Sequence, residues 1–189
     1  LIHWGILGAA RINRSFVPSL LKSGQARLSA IASRNLDRAR EQADQWKIPH
    51  VFSSYQELLS NPSIDAVYIP LPNHLHTEWA IRAAQAGKHA LIEKPLALSV
   101  QEVDEIITAA RNSNVFITEG MMHLHHRKTA AVRQMLEQGV IGDPLFFNGE
   151  FTFPLTRADD YRWEKQFGGG SLWDLGCYLV SYARIMFGG

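Results

Sequence analysis

The chain has a single cysteine, Cys177, in 189 residues. No intrachain disulfide and no cysteine-based zinc cluster can form, and this usage suits a reducing, cytoplasmic compartment. Net charge is almost absent as well, since 19 Lys and Arg against 18 Asp and Glu leave +1 at neutral pH. A nucleic-acid binder carries a much stronger basic footprint, so no nucleic-acid partner is expected. No apolar run approaches the roughly 20 residues that span a bilayer. The apolar start at 1–10 has no basic segment ahead of it and reads as a buried strand rather than a signal peptide; no membrane partner is expected. Internal repeats, low-complexity tracts and Pro- or Ser-rich linkers are missing too. What remains is an ordinary globular composition, 46% hydrophobic, 20% charged and 10% aromatic. Such a chain buries a core and falls outside the disordered, collagen-like and disulfide-scaffold classes.

Short apolar runs at 2–7, 28–32, 66–69, 90–92 and 115–118 alternate with stretches at 36–46, 75–86 and 100–110 whose apolar residues recur at helical spacing, as Val103, Ile106, Ile107 and Ala110 do. Runs apolar along their whole length are strands buried on both faces, and the alternation means βαβ units. The spacing predicts a doubly wound parallel α/β sheet over 1–120. Beyond Gly120 the pattern changes to a helix over 128–138, an aromatic-rich strand over 144–153 and, after three glycines, a helix over 171–186. One strand and two helices do not close a domain. Residues 121–189 therefore read as the beginning of a second, incomplete α/β domain, and a first residue that is Leu reads as lying inside a longer frame.

The first strand runs into Gly8-Ala9-Ala10-Arg11-Ile12-Asn13, the place of a dinucleotide G-x-G-x-x-G turn with Ala10 and Asn13 at the second and third glycines. Gly8 permits the tight turn, Ala10 lets the backbone approach a pyrophosphate, and the following helix offers free N–H groups. A plain strand-to-helix turn needing Gly8 for geometry alone is the other reading. The second strand ends in Ser33 and Arg34, where an NAD site would carry Asp or Glu about 20 residues after the turn. A hydroxyl and a guanidinium suit a 2′-phosphate, with Arg38 one turn on, so NADP is favoured over NAD. Arg40 belongs to a solvated helix face. The fifth strand ends in Glu93-Lys94-Pro95, which puts a lysine at the carboxyl edge of the sheet, where ligands of such folds bind. Desolvation and a cationic nicotinamide would lower its pKa and fit it for proton transfer; a surface ion pair ended by Pro95 is the alternative.

Five segments, in this order and spacing, carry a resemblance: Gly5-Ile6-Leu7-Gly8-Ala9-Ala10, Pro72-Asn73-His74-Leu75-His76, Ala86-Gly87-Lys88-His89, Glu93-Lys94-Pro95, and Gly168-Gly169-Gly170-Ser171-Leu172-Trp173-Asp174-Leu175-Gly176-Cys177-Tyr178. The whole chain resembles the glucose-fructose oxidoreductase, inositol dehydrogenase and rhizopine-catabolism (Gfo/Idh/MocA) family. The resemblance implies a Rossmann domain, then a substrate and oligomerisation domain with an open, mainly antiparallel sheet, and a homo-oligomer, dimer or tetramer, of the full-length protein. It implies hydride transfer at a hydroxyl-bearing carbon of a sugar, polyol or cyclic diol. Ser33, Arg34 and Tyr178 are most similar to its NADP-dependent branch; many relatives carry His at the place of Tyr178.

On that resemblance Tyr178 is the general acid/base, Lys94 lowers its pKa and holds the same substrate oxygen, and Asp174 binds a second hydroxyl. If 171–186 is helical, Asp174 and Tyr178 share a face, and the glycines at 168–170 bring that helix's N-terminus close to the site floor. Gly8, Ala10, Arg11, Ile12, Ser33, Arg34, Arg38, Leu71, Asn73, His76, Glu93, Lys94 and Arg162 are the cofactor-side candidates. His123, His125 and His126, with Glu119 upstream, would make a metal site if 123 and 125 shared a strand face, but the family's chemistry uses no metal. Leu124 and Arg127 depart from the Arg and Pro common in relatives, which leaves the substrate wall open. Trp163 and Trp173 fit either an aromatic wall or plain packing, and Cys177 a small filler. Two other functions stay open: a glycosidase that uses transient oxidation, and a non-catalytic NADPH-binding regulator.

Overall fold

A computed structural model describes residues 1–188. They form two compact units, Leu1–Glu119 and the residues from Gly120 onward. In the first, β1 (Ile2–Leu7), β2 (Ala26–Ala32), β3 (His50–Phe52), β4 (Ala66–Ile69), β5 (His89–Ile92) and β6 (Ile117–Glu119) make one sheet in the order β3-β2-β1-β4-β5-β6. Every pairing is parallel. The order doubles back beside β1, which is the doubly wound arrangement. The connections carry α1 (Asn13–Lys22), α2 (Leu36–Trp46), α3 (Tyr55–Leu59), α4 (His76–Gln85) and α5 (Val100–Asn112).

Both faces of the sheet are covered because neighbouring strand residues feed opposite layers. Leu7, Ala30, Val67 and Ile69 join Leu58, Ala80 and Ile106 on one side, and Ile6, Ile31 and Tyr68 join Val17, Ala39 and Ala43 on the other. The continuous apolar runs of the sequence follow from this double burial. Side chains fix most helix starts: Asn35 accepts from the Arg38 N–H, Ser54 from that of Gln56, and Ser99 from that of Glu102, whose own carboxylate accepts from the Leu98 N–H at 2.7 Å. These caps satisfy donors that the first helical turn leaves unpaired.

Three elements differ from the sequence pattern. β3 and α3 are too short to stand out in the sequence: α3 has only Tyr55, Leu58 and Leu59 on its buried face, and β3 is an edge strand only partly buried. The last strand starts at Ile117 rather than at 115, because the Phe116 N–H donates to His89 Nδ1 and its side chain is exposed. The expected helix over 75–86 starts with a 3₁₀ turn, Asn73–Leu75.

The second unit has a 3₁₀ turn (Met122–His125), α6 (Arg127–Glu137), 3₁₀ turns at Tyr161–Trp163 and Lys165–Phe167, a π-helical turn (Leu172–Gly176) and α7 (Cys177–Phe187). The strand expected over 144–153 is not formed; the segment has no ladder partner among the described residues, and Leu145 is 95% exposed. The helix expected over 171–186 is a π turn that passes into α7.

Leu7 is wholly buried in the layer under α4. Leu7→Ala should destabilise the first unit by about 2–5 kcal/mol, read as a lower urea midpoint at unchanged slope.

Candidate active site

Gly8 ends β1 with φ +123°, a conformation that side-chain-bearing residues rarely adopt, and a Cβ there would stand 3.0 Å from Leu71 Cδ2. Glycine is thus required by the turn, and a side chain there would also crowd Leu71. α1 follows with no side-chain cap, unlike α2, α3 and α5. The N–H groups around Ala10, Arg11 and Ile12 precede its first helical bonds, so the helix presents an open positive end beside a cradle without a Cβ. A pyrophosphate fits this chemistry. Below the turn the buried Asn13 donates through Nδ2 to the Gly8 carbonyl at 2.9 Å and to Gln42 Oε1 at 2.9 Å, and Gln42 Nε2 donates to the Ala10 carbonyl at 3.2 Å.

At the end of β2, Ser33 is buried and its Oγ accepts from the Asn35 N–H at 3.1 Å, which leaves the hydroxyl hydrogen to donate elsewhere. Arg34 and Arg38 are exposed. Arg34 is hydrogen-bonded to Tyr55; burial pushes that phenol's pKa up, and the guanidinium opposes the shift. Tyr55 escaped the sequence reading, because nothing in its spacing links it to Arg34. A hydroxyl with two guanidinium groups suits a 2′-phosphate.

Beyond β4, Leu71 and Asn73 are buried at the same strand-end edge. His76, 0% exposed, places Nδ1 2.7 Å from the Pro95 carbonyl oxygen and Nε2 2.7 Å from that of Leu71. Only an imidazolium could donate to both, whereas burial pushes the pKa down, so the two demands oppose each other. The structure uses His76 as a brace between these loops rather than on an open surface. Glu93 accepts from Tyr68 Oη at 2.5 Å, and Lys94, half-buried, precedes a cis Pro95. Glu119 stands opposite Ile92 across the last pairing and accepts from the Leu96 N–H at 2.8 Å. Burial pushes the Glu119 pKa up; the Leu96 N–H opposes this, Glu93 adds to it and Lys94 opposes it. The sequence offered Glu119 only as a metal ligand.

In the second unit Arg162 Nε pairs with Asp174 Oδ2 at 3.0 Å, and its Nη1 lies 3.3 Å from Asp160 Oδ2. Burial opposes the charge on Arg162, but Asp174 and the other neighbours outweigh it and raise its pKa. A Cβ on Gly169 would stand 2.5 Å from the Arg162 carbonyl oxygen, and the Gly170 N–H donates to that oxygen at 2.9 Å. The glycine run lets two backbones touch and so joins Arg162 to Asp174. Tyr178 packs against His123 at 5.4 Å and edge-on to Phe151 at 5.6 Å between ring centroids. His123 and His125 lie on a 3₁₀ turn, not a strand, and His126 caps α6. Among the described residues no group of three or more His, Cys, Asp or Glu could hold a metal ion. Trp163 is exposed, its indole N–H donating to the Arg157 carbonyl at 2.7 Å. No described helix is long and apolar enough to cross a membrane.

The family model described as an oxidoreductase family with an NAD-binding Rossmann fold matches residues 2–121, and that of the GFO/IDH/MocA C-terminal domain matches 129–189. The chain belongs to the GFO/IDH/MocA oxidoreductase family. It is 42% identical over 188 residues to an uncharacterized oxidoreductase, ORF334, of Rhizobium meliloti. It is 36% identical over 188 residues to trans-1,2-dihydrobenzene-1,2-diol dehydrogenase of Xenopus tropicalis. These alignments take in 99% and 98% of this chain but 56% and 57% of the relatives, so the chain spans little more than half their length. The crystal structure of KijD10, a 3-ketoreductase from Actinomadura kijaniata, in complex with NADP and TDP-benzene, superposes with a TM-score of 0.90 at 35% identity, covering 99% of this chain and 57% of that one. Two variants of it, one with a tyrosine replaced by phenylalanine and one with a lysine replaced by alanine, were crystallised with the same ligands. The two replaced positions are as far apart in its sequence as Lys94 and Tyr178 are here.

Because the folded state holds the Glu119 proton more tightly than the unfolded chain, its contribution is present at low pH and is lost as pH rises from about 4.3 through the raised folded value. Glu119→Gln keeps an acceptor for the Leu96 N–H without the charge. Relative to the parent, this variant should gain thermal stability between pH 4.5 and pH 7.5, measured as the difference of melting temperatures.

Proposed function

We propose that this chain carries the cofactor site and the start of the substrate site of an NADP-preferring oxidoreductase acting at the hydroxyl or keto carbon of a sugar, polyol or cyclic diol. The observation that carries the reading is one edge of one sheet: an uncapped helix N-terminus behind Gly8, with Ser33 and Arg34 just past the end of the next strand and Arg38 in the first turn of α2. In this reading residues 1–120 bind the dinucleotide and residues 121–189 begin the substrate and oligomerisation domain. The Gly8 turn with Ala10, Arg11 and Ile12 holds the pyrophosphate, Ser33, Arg34 and Arg38 hold the 2′-phosphate, and Leu71, Asn73 and Glu93 line the path toward the nicotinamide. His76 acts from behind by fixing the Leu71 and Pro95 carbonyls.

When bound, the dinucleotide would supply a hydride as NADPH or take one up as NADP⁺. The protein's part is orientation and proton management. For reduction, Tyr178 Oη donates a proton to the substrate carbonyl oxygen while the Lys94 ammonium donates a hydrogen bond to the same oxygen; oxidation runs the transfer in reverse. Asp174, held by Arg162, accepts from a neighbouring substrate hydroxyl. The NADP bound to the 3-ketoreductase, and the lysine and tyrosine replaced in its variants, support both halves of this assignment. The same reading takes the whole protein as a cytoplasmic homo-oligomer with a small-molecule substrate.

Titration of nicotinamide fluorescence should give tighter binding of NADPH than of NADH. Arg34→Ala should weaken NADPH at least tenfold and leave NADH within twofold, since only the former carries the charge that a guanidinium pairs with. Tyr178→Phe and Lys94→Ala should each lower kcat for keto-sugar reduction by about 10²-fold or more with the NADPH Kd unchanged. Preference for NADH would overturn the 2′-phosphate assignment.

A further inference from the structure

The third glycine of a dinucleotide turn is replaced here by Asn13, which is 0% exposed and does not simply fill space. Both hydrogens of its Nδ2 are used, on the Gly8 carbonyl and on Gln42 Oε1, each at 2.9 Å, and Gln42 returns a bond from Nε2 to the Ala10 carbonyl at 3.2 Å. The Ala10 carbonyl also accepts from the Asn13 N–H at 3.3 Å. Asn13 Oδ1 is buried with no hydrogen-bond partner among the described residues. An amide satisfied on one side only is a poor way to stabilise a core, so its retention calls for another explanation.

That explanation lies in the planarity of the peptide unit. In a trans peptide the N–H points opposite to the C=O of the residue before it. Holding the Gly8 carbonyl on the Asn13 amide and the Ala10 carbonyl on the Gln42 amide therefore aims the N–H groups of Ala9 and Arg11 away from these two amides. We infer that Asn13 and Gln42 form an amide strut that positions the phosphate-binding turn, orienting its N–H donors before a dinucleotide arrives. The strut ties the turn to α2, whereas Ser33, Arg34 and Arg38 act on the adenosine ribose 2′-phosphate and not on the pyrophosphate. This inference rests on the reading of the Gly8 turn as a pyrophosphate site. The strut's effect falls on the part that NADPH and NADH share.

The test is fluorescence titration of the chain and its variants with NADPH and, separately, NADH, alongside circular dichroism. Gln42→Leu, at a half-exposed position, should keep the parent spectrum and raise both dissociation constants about tenfold, so that the NADPH-to-NADH ratio is unchanged. Arg34→Ala should change the ratio instead. Asn13→Ala combined with Gln42→Leu should bind no more weakly than the more affected single variant, because the two amides act as one unit. If Gln42→Leu loses its folded spectrum, Gln42→Ala carries the same expectation. Dissociation constants within twofold of the parent, or a loss confined to NADPH, would overturn the strut while leaving the cofactor reading intact. A parent chain that binds neither dinucleotide would overturn both.

Discussion

Parallel pairing makes all six strands of the sheet end at the same edge, and everything chemical in the first unit depends on that constraint. Each strand must return over a face of the sheet before the next begins, so the carboxyl ends collect the loops of several crossovers. Gly8, Ser33, Leu71, Lys94 and Glu119 are far apart in sequence but lie at or just beyond the ends of β1, β2, β4, β5 and β6. The crevice at the point where strand order reverses is where such sheets take ligands.

A gathered edge is not yet a site, because loops must be held to be useful. The chain holds them with buried polar groups: Tyr68 on Glu93, Glu119 on the Leu96 N–H, His76 between two carbonyls, and Asn13 with Gln42 under the first turn. Each removes a polar atom from water and is tolerable only when bonded. The imperfections, an orphaned amide oxygen and a carboxyl with a raised pKa, lie beside the loops on which the ligand would sit.

The fold was legible where burial leaves a periodic trace. Doubly buried strands such as Ile2–Leu7 and Ala66–Ile69 and amphipathic helices such as Val100–Asn112 announce themselves in the pattern of apolar residues. His50–Phe52 and Tyr55–Leu59 did not, since segments of three to five residues hold too little pattern. The segment at 144–153 has the aromatic-rich composition of a strand but no ladder partner among the described residues, and pairing is a property of the sheet rather than of the segment. The candidate residues on the glycine turn and at Lys94 were readable from their place after strands. The bond from Arg34 to Tyr55, the Gln42 strut and the Glu119 clamp join residues distant in sequence, and only folded geometry reveals such pairs.

The imidazole of His76 has a mechanical meaning as well as an electrostatic one. It spans the loop after β4 and the loop after β5, with 2.7 Å contacts at both ends and no exposed surface through which to relax. A displacement of the Leu71 backbone is therefore carried through a rigid ring to the Pro95 carbonyl, one peptide from Lys94. Such a link sets the spacing of the two loops through one side chain, and the carbonyl it holds on the second belongs to the residue after the lysine.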